Sequence, residues 1–247
     1  MSEKFTTSQG RTLAYHLTNG TGPTVVFLGG FKSDMAGTKA IFLENWARSE
    51  GRAFLRFDYS GHGESAGAFT DGCIGDWFED ACAAVGLVNG PLVLVSSSMG
   101  GWISLLMSRA MPDRIAGLVT IAAAPDFTED SMWAGFTDAQ KAKLAAGQVA
   151  LPSEYGAPYI ITKRLIHEGR DRLVLRTPLP LPFPVRFLQG TLDADVDMAV
   201  AVRLLDHATG PDMRLTLVAG ADHRFSDAAC LDLITMSVTD VLRPKDV

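Results

Sequence analysis

The stretch Pro91–Trp102 reads P-L-V-L-V-S-S-S-M-G-G-W. Leu92–Val95 is an apolar run of strand type, three serines and two glycines follow, and Trp102–Met111 has the composition of a buried helix. A strand that turns sharply into a helix over small residues is the setting of a nucleophile elbow, written G-x-S-x-G. Here it is Ser96-Ser97-Ser98-Met99-Gly100, with Ser98 at the centre. The turn strains the central residue and brings its neighbours two positions away against other backbone, so those neighbours must be small. Gly100 meets that demand, and Ser96 stands where glycine is expected. Ser98 is the candidate nucleophile, and the chemistry would be acyl transfer. The competing reading is an N-cap, because a serine before a helix accepts a hydrogen bond from its first turn.

A hydroxyl needs a base, and the base needs an acid. Gln189-Gly190-Thr191-Leu192-Asp193-Ala194-Asp195-Val196-Asp197 follows one apolar run, and Ala219-Gly220-Ala221-Asp222-His223 follows another. His223 would take the Ser98 proton and return it to the leaving group, while a carboxylate holds the imidazole in the right tautomer. Of the three aspartates, Asp193 is chosen over Asp195 and Asp197 for its G-x-x-D offset from the strand. The backbone N–H groups of Met99, after the nucleophile, and Phe31, after Gly29-Gly30, are the expected oxyanion hole. A solvated acidic loop and a surface-turn histidine are the ordinary alternatives for these two segments. The acid run imitates the start of a calcium loop, but Met198 and Leu204 replace its required Gly and Glu, so calcium is rejected. Gly61-His62-Gly63 lacks dinucleotide spacing. His62 reads as a structural turn residue near the site. Neither a metal nor an organic cofactor is expected.

These groups need a scaffold that gathers them. Phe5–Gln9 and Thr12–Thr18 read as an opening hairpin, and apolar strands follow at Thr24–Leu28, Ala53–Phe57, Leu92–Val95, Gly117–Ile121, Val185–Leu188 and Arg214–Val218. Helical patterns lie between them, at Ile41–Ser49, Gly75–Val88, Ala199–His207 and Asp227–Leu242. Alternation of this kind predicts an α/β fold with a mostly parallel sheet, helices on both faces and functional groups at the carboxyl ends of the strands. The chain 1–247 reads as a single domain. Within it 126–184, aromatic (Phe127, Trp133, Phe136, Tyr155, Tyr159) and closed by P-L-P-L-P-F-P, reads as a cap or lid insertion.

Composition narrows the partners. A net charge of −6 argues against nucleic acid and anionic membranes, and no apolar run approaches the length of a bilayer span. The first residues, M-S-E-K-F-T-T-S-Q-G-R-T-L, have no apolar h-region and one arginine, which argues against secretory and transit segments. The three cysteines form no spacing motif, an odd count that fits a reducing compartment, and Cys82 reads as a buried thiol. The expected address is cytoplasmic.

The runs G-F-K-S-D-M-A-G-T-K-A (30–40), R-F-D-Y-S-G-H-G-E-S (56–65), S-S-M-G-G-W (97–102), D-H-R (222–224) and L-P-S-E-Y (151–155) resemble one branch of the α/β-hydrolase superfamily, that of the palmitoyl-protein thioesterases and acyl-glucuronide esterases. The resemblance implies an eight-stranded α/β-hydrolase sheet with a helical cap. It also implies a Ser-Asp-His triad, which falls on Ser98, Asp193 and His223. The expected partner is a small-molecule ester or thioester, with an acyl-protein as a further candidate. Ser96 and Asp197 depart from the branch's pattern. Lys163 and Arg164 are candidates for binding an acidic substrate group, against the plainer reading of an exposed helix face. The rival functions are a non-catalytic small-molecule receptor of the same fold and a cofactor-free perhydrolase.

Overall fold

The computed structural model describes residues 2–152 and 158–243. Tyr155 and the end of the L-P-S-E-Y run lie outside the described residues. The chain opens with β1 (Glu3–Thr6), β2 (Thr12–Thr18) and β3 (Thr21–Leu28). The first strand ends sooner than its sequence pattern suggests because the Thr7 N–H turns back to the Arg11 carbonyl, with Gly10 at φ 82°. Alternation then sets in: α1 (Thr38–Ser49), β4 (Arg52–Phe57), α2 (Ile74–Val85), β5 (Leu92–Ser97), α3 (Met99–Ala110) and β6 (Ile115–Ile121).

The segment 126–184 contains a π-helical turn at Thr128–Trp133, α4 (Asp138–Ala145), β7 (Gln148–Leu151), β8 (Tyr159–Thr162), α5 (Lys163–Arg170) and β9 (Leu179–Pro180). The chain closes with β10 (Val185–Gly190), α6 (Met198–His207), β11 (Ala208–Thr209), β12 (Met213–Val218) and α7 (Ala228–Leu242).

Eight strands form one sheet in the order β1-β2-β4-β3-β5-β6-β10-β12. The first three are joined antiparallel and all later pairs are parallel, so the expectation of a mostly parallel eight-stranded sheet is met. Because successive side chains on a strand face opposite sides, β3 sends Val26 and Leu28 into one layer and Val25 and Phe27 into the other. The first layer is completed by Trp77 of α2 and Trp102 and Ile103 of α3. The second is completed by Leu43 and Ala47 of α1 and by Ile234 and Val238 of α7. Two filled faces rather than one explain why the central strands are continuous apolar runs.

Residues 126–176 are tied into a loop at their base. Asp126, wholly buried, accepts the N–H groups of Val174 and Leu175 at 2.8 and 3.0 Å and an Arg176 N–H at 2.6 Å. Trp102 reaches from α3 to donate its indole N–H to the Arg172 carbonyl at 3.0 Å, and Glu168 accepts the Gly75 N–H at 2.8 Å. The strands β7 and β8 pair only with each other, and β9 pairs with β11 away from the main sheet.

Candidate active site

Ser98 sits between the end of β5 and the start of α3 with φ 54° and ψ −119°, a conformation a side-chain-bearing residue adopts only under constraint. The constraint is visible. The Ser98 N–H donates to Ile121 O at 2.9 Å, and its carbonyl accepts from the Gly101 and Ala124 N–H groups at 2.8 and 3.1 Å. The turn carries α3 so close to β3 that a Cβ on Gly100 would lie 2.3 Å from the Leu28 carbonyl oxygen. Although Ser98 occupies the N-cap position, its hydroxyl makes no capping hydrogen bond. Ser96, buried beneath, places its hydroxyl 3.0 Å from that of Ser104 on α3. Ser104 also donates to Gly101 O at 2.7 Å, so the proton between the two serines belongs to Ser96.

Asp193 lies beyond the end of β10, its carboxylate fully enclosed. It accepts from His223 Nδ1 at 2.9 and 3.0 Å, from the Asp195 and Val196 N–H groups at 2.9 and 2.8 Å, and from Gln189 Nε2 at 2.9 Å. Burial would raise its pKa, but the hydrogen bonds from His223, Val196 and Gln189 and the attraction of the imidazole outweigh it, so the carboxyl is held below its ordinary range. An ionised carboxylate can only accept, which places the imidazole proton on Nδ1 and leaves Nε2 as the basic nitrogen. The other two aspartates have different surroundings. Asp197 caps α6 by accepting the Ala199 N–H at 2.7 Å, and Asp195 presents an exposed side chain. Asp193, Asp195 and His223 bring one ligand atom each within 4.8 Å of one another, but both oxygens of Asp193 are already engaged by N–H groups.

Ser98 and His223 line the same cavity of about 750 Å³, together with Gly30, Phe31, Phe127, Met132 and Tyr159. Among the described residues no hydrogen bond joins the Ser98 hydroxyl to the imidazole. A Cβ on Gly30 would come 3.2 Å from the Ser98 Cβ, so the loop after β3 runs directly against Ser98. Neither the Phe31 N–H nor the Met99 N–H, the first of α3, has a hydrogen-bond partner among the described residues. The Phe31 ring meets Phe69, Trp77, Phe127 and Tyr159 edge to face, with centroids 4.8 to 6.0 Å away.

Two supports escaped the sequence reading. Gln189 is wholly buried and holds the acid from within the strand; its spacing four residues before Asp193 was the available signal. His62, read as a turn residue, is buried and accepts the Lys32 N–H on Nε2 at 3.2 Å while Nδ1 faces the Ser60 carbonyl at 3.1 Å. It thus braces the peptide next to Phe31. Burial lowers its pKa against the opposing pull of the Ser60 carbonyl and Asp80, so the ring is neutral.

The proposed acid-binding role of Lys163 and Arg164 is not supported, since neither lines the cavity. Arg164 instead engages both carboxylate oxygens of Asp76, at 2.5 and 3.0 Å, tying α5 to α2. The thiols are no competing nucleophiles. Burial pushes Cys73 and Cys230 up to about 12, and Cys82, only partly buried, up to about 11.

A crystal structure of an Agrobacterium vitis S4 protein superposes with a TM-score of 0.94 at 37% identity, covering 98% of this chain and 99% of that one. The structure of alpha/beta hydrolase domain-containing protein 10 from mouse gives 0.91 at 31% identity, with 98% of both chains covered. Among curated proteins, the palmitoyl-protein thioesterase ABHD10, mitochondrial, of Rattus norvegicus is 33% identical over 94% of this chain and 79% of its own length. The Homo sapiens protein of the same name is 31% identical over 93% and 76%.

The curated relatives overturn the cytoplasmic address expected above, because they are named mitochondrial. That expectation rested on the first residues and on the odd number of cysteines, and a free-thiol count does not separate one reducing compartment from another. Among the described residues no helix is long and apolar enough to cross a membrane. The sequence matches the alpha/beta hydrolase family over residues 25–239, and the chain belongs to that family.

Proposed function

We propose that this protein is a serine hydrolase that cleaves carboxylic esters or thioesters through an acyl-enzyme, with Ser98 as nucleophile, His223 as general base and acid, and Asp193 as the group that orients and stabilises His223. The observation that carries this reading is the pairing of His223 Nδ1 with the enclosed Asp193 carboxylate at 2.9 Å, facing the cavity that the strained Ser98 also lines.

In this mechanism Ser98 Oγ attacks the acyl carbon while its proton passes to His223 Nε2. The imidazolium that forms is stabilised by Asp193. Negative charge develops on the former carbonyl oxygen, and the unpartnered N–H groups of Phe31 and Met99 receive it. Collapse releases the alcohol or thiol, protonated by His223, and leaves an acyl-Ser98 ester. Water, deprotonated by the same imidazole, then attacks that ester and returns the hydroxyl. The acyl portion would lie among Phe31, Phe127, Met132 and Tyr159, with residues 126–184 acting as its cap. Relatives named palmitoyl-protein thioesterases support an acyl-thioester substrate, on small thiols or on acyl-proteins, and the resemblance to acyl-glucuronide esterases extends the class to oxygen esters.

The deciding experiment is labelling with a fluorophosphonate probe, followed by rates on p-nitrophenyl esters, acyl-thioesters and acyl glucuronides. A single adduct on Ser98 with turnover of esters or thioesters is expected. Labelling elsewhere, or no turnover of any of the three classes, would overturn the reading.

A further inference from the structure

Lys39 is the second residue of α1, yet its side chain serves the loop that carries His223. Its Nζ donates to the Arg224 carbonyl at 2.5 Å, a contact between residues 185 positions apart in the chain. It lines the same cavity as Ser98 and His223. The loop it meets is backbone-strained: Phe225, two residues after His223, sits at φ 51°. Other ties hold that loop at its flanks. The Gly220 N–H donates to Thr191 Oγ1 at 2.9 Å, the Phe225 N–H to Asp222 Oδ1 at 3.0 Å, and the Ser226 hydroxyl to the same Arg224 carbonyl at 2.8 Å. Of these contacts, the one from Lys39 comes from another element, the helix α1 packed on β4. It is also the one carried by a cation.

We propose that Lys39 is a positioning residue for the general base: by gripping the Arg224 carbonyl from α1, it fixes where the His223 imidazole stands relative to Ser98. This rests on the reading of His223 as general base. A carbonyl held by an ammonium forms a stronger bond than one held by a neutral donor, so the grip depends on the charge of Lys39. The charged and titratable groups that act on it are Asp222 and Arg224 from the loop and Cys230 from α7, and Lys32, Asp34 and His223 line the same cavity. Burial lowers the Lys39 pKa to about 8, aided by Arg224 and opposed by Asp222 and Cys230. The grip is therefore strong below that value and weakens as pH rises through it.

The test is kcat and KM on one neutral p-nitrophenyl ester across pH 6 to 10, for wild type, Lys39→Met and Lys39→Arg. Lys39→Met is expected to lower kcat by about ten- to a hundredfold with KM nearly unchanged, the scale of loss that a small misplacement of a catalytic group produces. Wild type should decline on the alkaline side near pH 8, and the Lys39→Met profile should lack that decline. Lys39→Arg should keep wild-type kcat at pH 7 and hold it above pH 8, because guanidinium stays charged. Should Lys39→Met not fold, the alkaline limb of Lys39→Arg decides alone. An unchanged kcat in Lys39→Met overturns the inference, as does an alkaline limb in Lys39→Arg that matches wild type. Activity surviving in His223→Ala would overturn the catalytic reading instead. An inactive His223→Ala beside a fully active Lys39→Met would overturn only the role of Lys39.

Discussion

Ser96 hydrogen bonds to Ser104 across 3.0 Å beneath the elbow, in a fully buried pocket between β5 and α3. The position where glycine is expected thus holds a side chain that finds a partner on the helix it would otherwise crowd. Ser104→Ala should leave the Ser96 hydroxyl with only the long contact to Val119 O at 3.4 Å. The expected cost is about 1–2 kcal/mol, because a buried donor loses its acceptor. Ser96→Gly removes donor and space together and should retain ester turnover. Urea denaturation of both variants checks the pair, and a larger loss for Ser96→Gly than for Ser104→Ala would contradict it.

The proposed triad predicts a graded set of losses. Ser98→Ala and His223→Ala should each lower turnover by roughly four to six orders of magnitude, since the group acts as a unit. Asp193→Asn should cost on the order of 10⁴ by favouring the wrong imidazole tautomer. Asp195→Asn should cost far less, because it supplies Asp193 with a backbone N–H that the substitution keeps. Single-turnover kinetics would rank them. A greater loss at Asp195 would displace Asp193 as the acid.

His62 contributes to the acid limb of stability, beside His16, whose pKa is lowered in the same direction, and the carboxylates held below their ordinary range. The folded pKa of His62 lies below the ordinary histidine value, so the unfolded chain binds the extra proton first. Stability contributed by the neutral ring is fully present above about pH 6.5 and is lost as pH falls toward the lower folded value. His62→Phe should flatten that part of the stability–pH curve. It should also lower ester turnover, because the Lys32 N–H loses its acceptor beside Phe31. Thermal unfolding from pH 4 to 8 reads the first effect; an unchanged slope would remove the argument.

Gly100 is a packing requirement. A Cβ there would fall 2.3 Å from Leu28 O and 2.6 Å from Gly29 O, backbone atoms at the end of β3 and just after it, on the way to Phe31. Gly100→Ala should destabilise by about 2–3 kcal/mol through overpacking and disturb Ser98 with it. Guanidinium denaturation and fluorophosphonate labelling of the soluble fraction should fall together. Wild-type values in both would show that the turn has more room than its geometry implies.

Arg164→Ala tests the discarded acid-binding role. Its guanidinium is half exposed and committed to Asp76, so loss of the pair should cost less than about 1 kcal/mol. The ratio of rates on neutral and carboxylate-bearing esters should not change. A selective loss on the acidic ester would restore the role.

Much of this protein is legible along the chain. Strand-helix alternation and two-sided apolar strands are local, one-dimensional patterns, which is why the mostly parallel sheet with helices on both faces can be read from them. The candidate residues are legible for the same reason: Ser98, Asp193 and His223 each follow a strand, and parallel connections bring strand ends to one edge. What the chain could not express is which groups hold those residues in place. That His62 braces Lys32, that Gln189 holds Asp193, that Arg164 is spent on Asp76 and that Lys39 reaches Arg224 depend on contacts between residues from 4 to 185 positions apart. Side-chain direction at such contacts is set by packing between elements, which no periodicity along the polymer encodes.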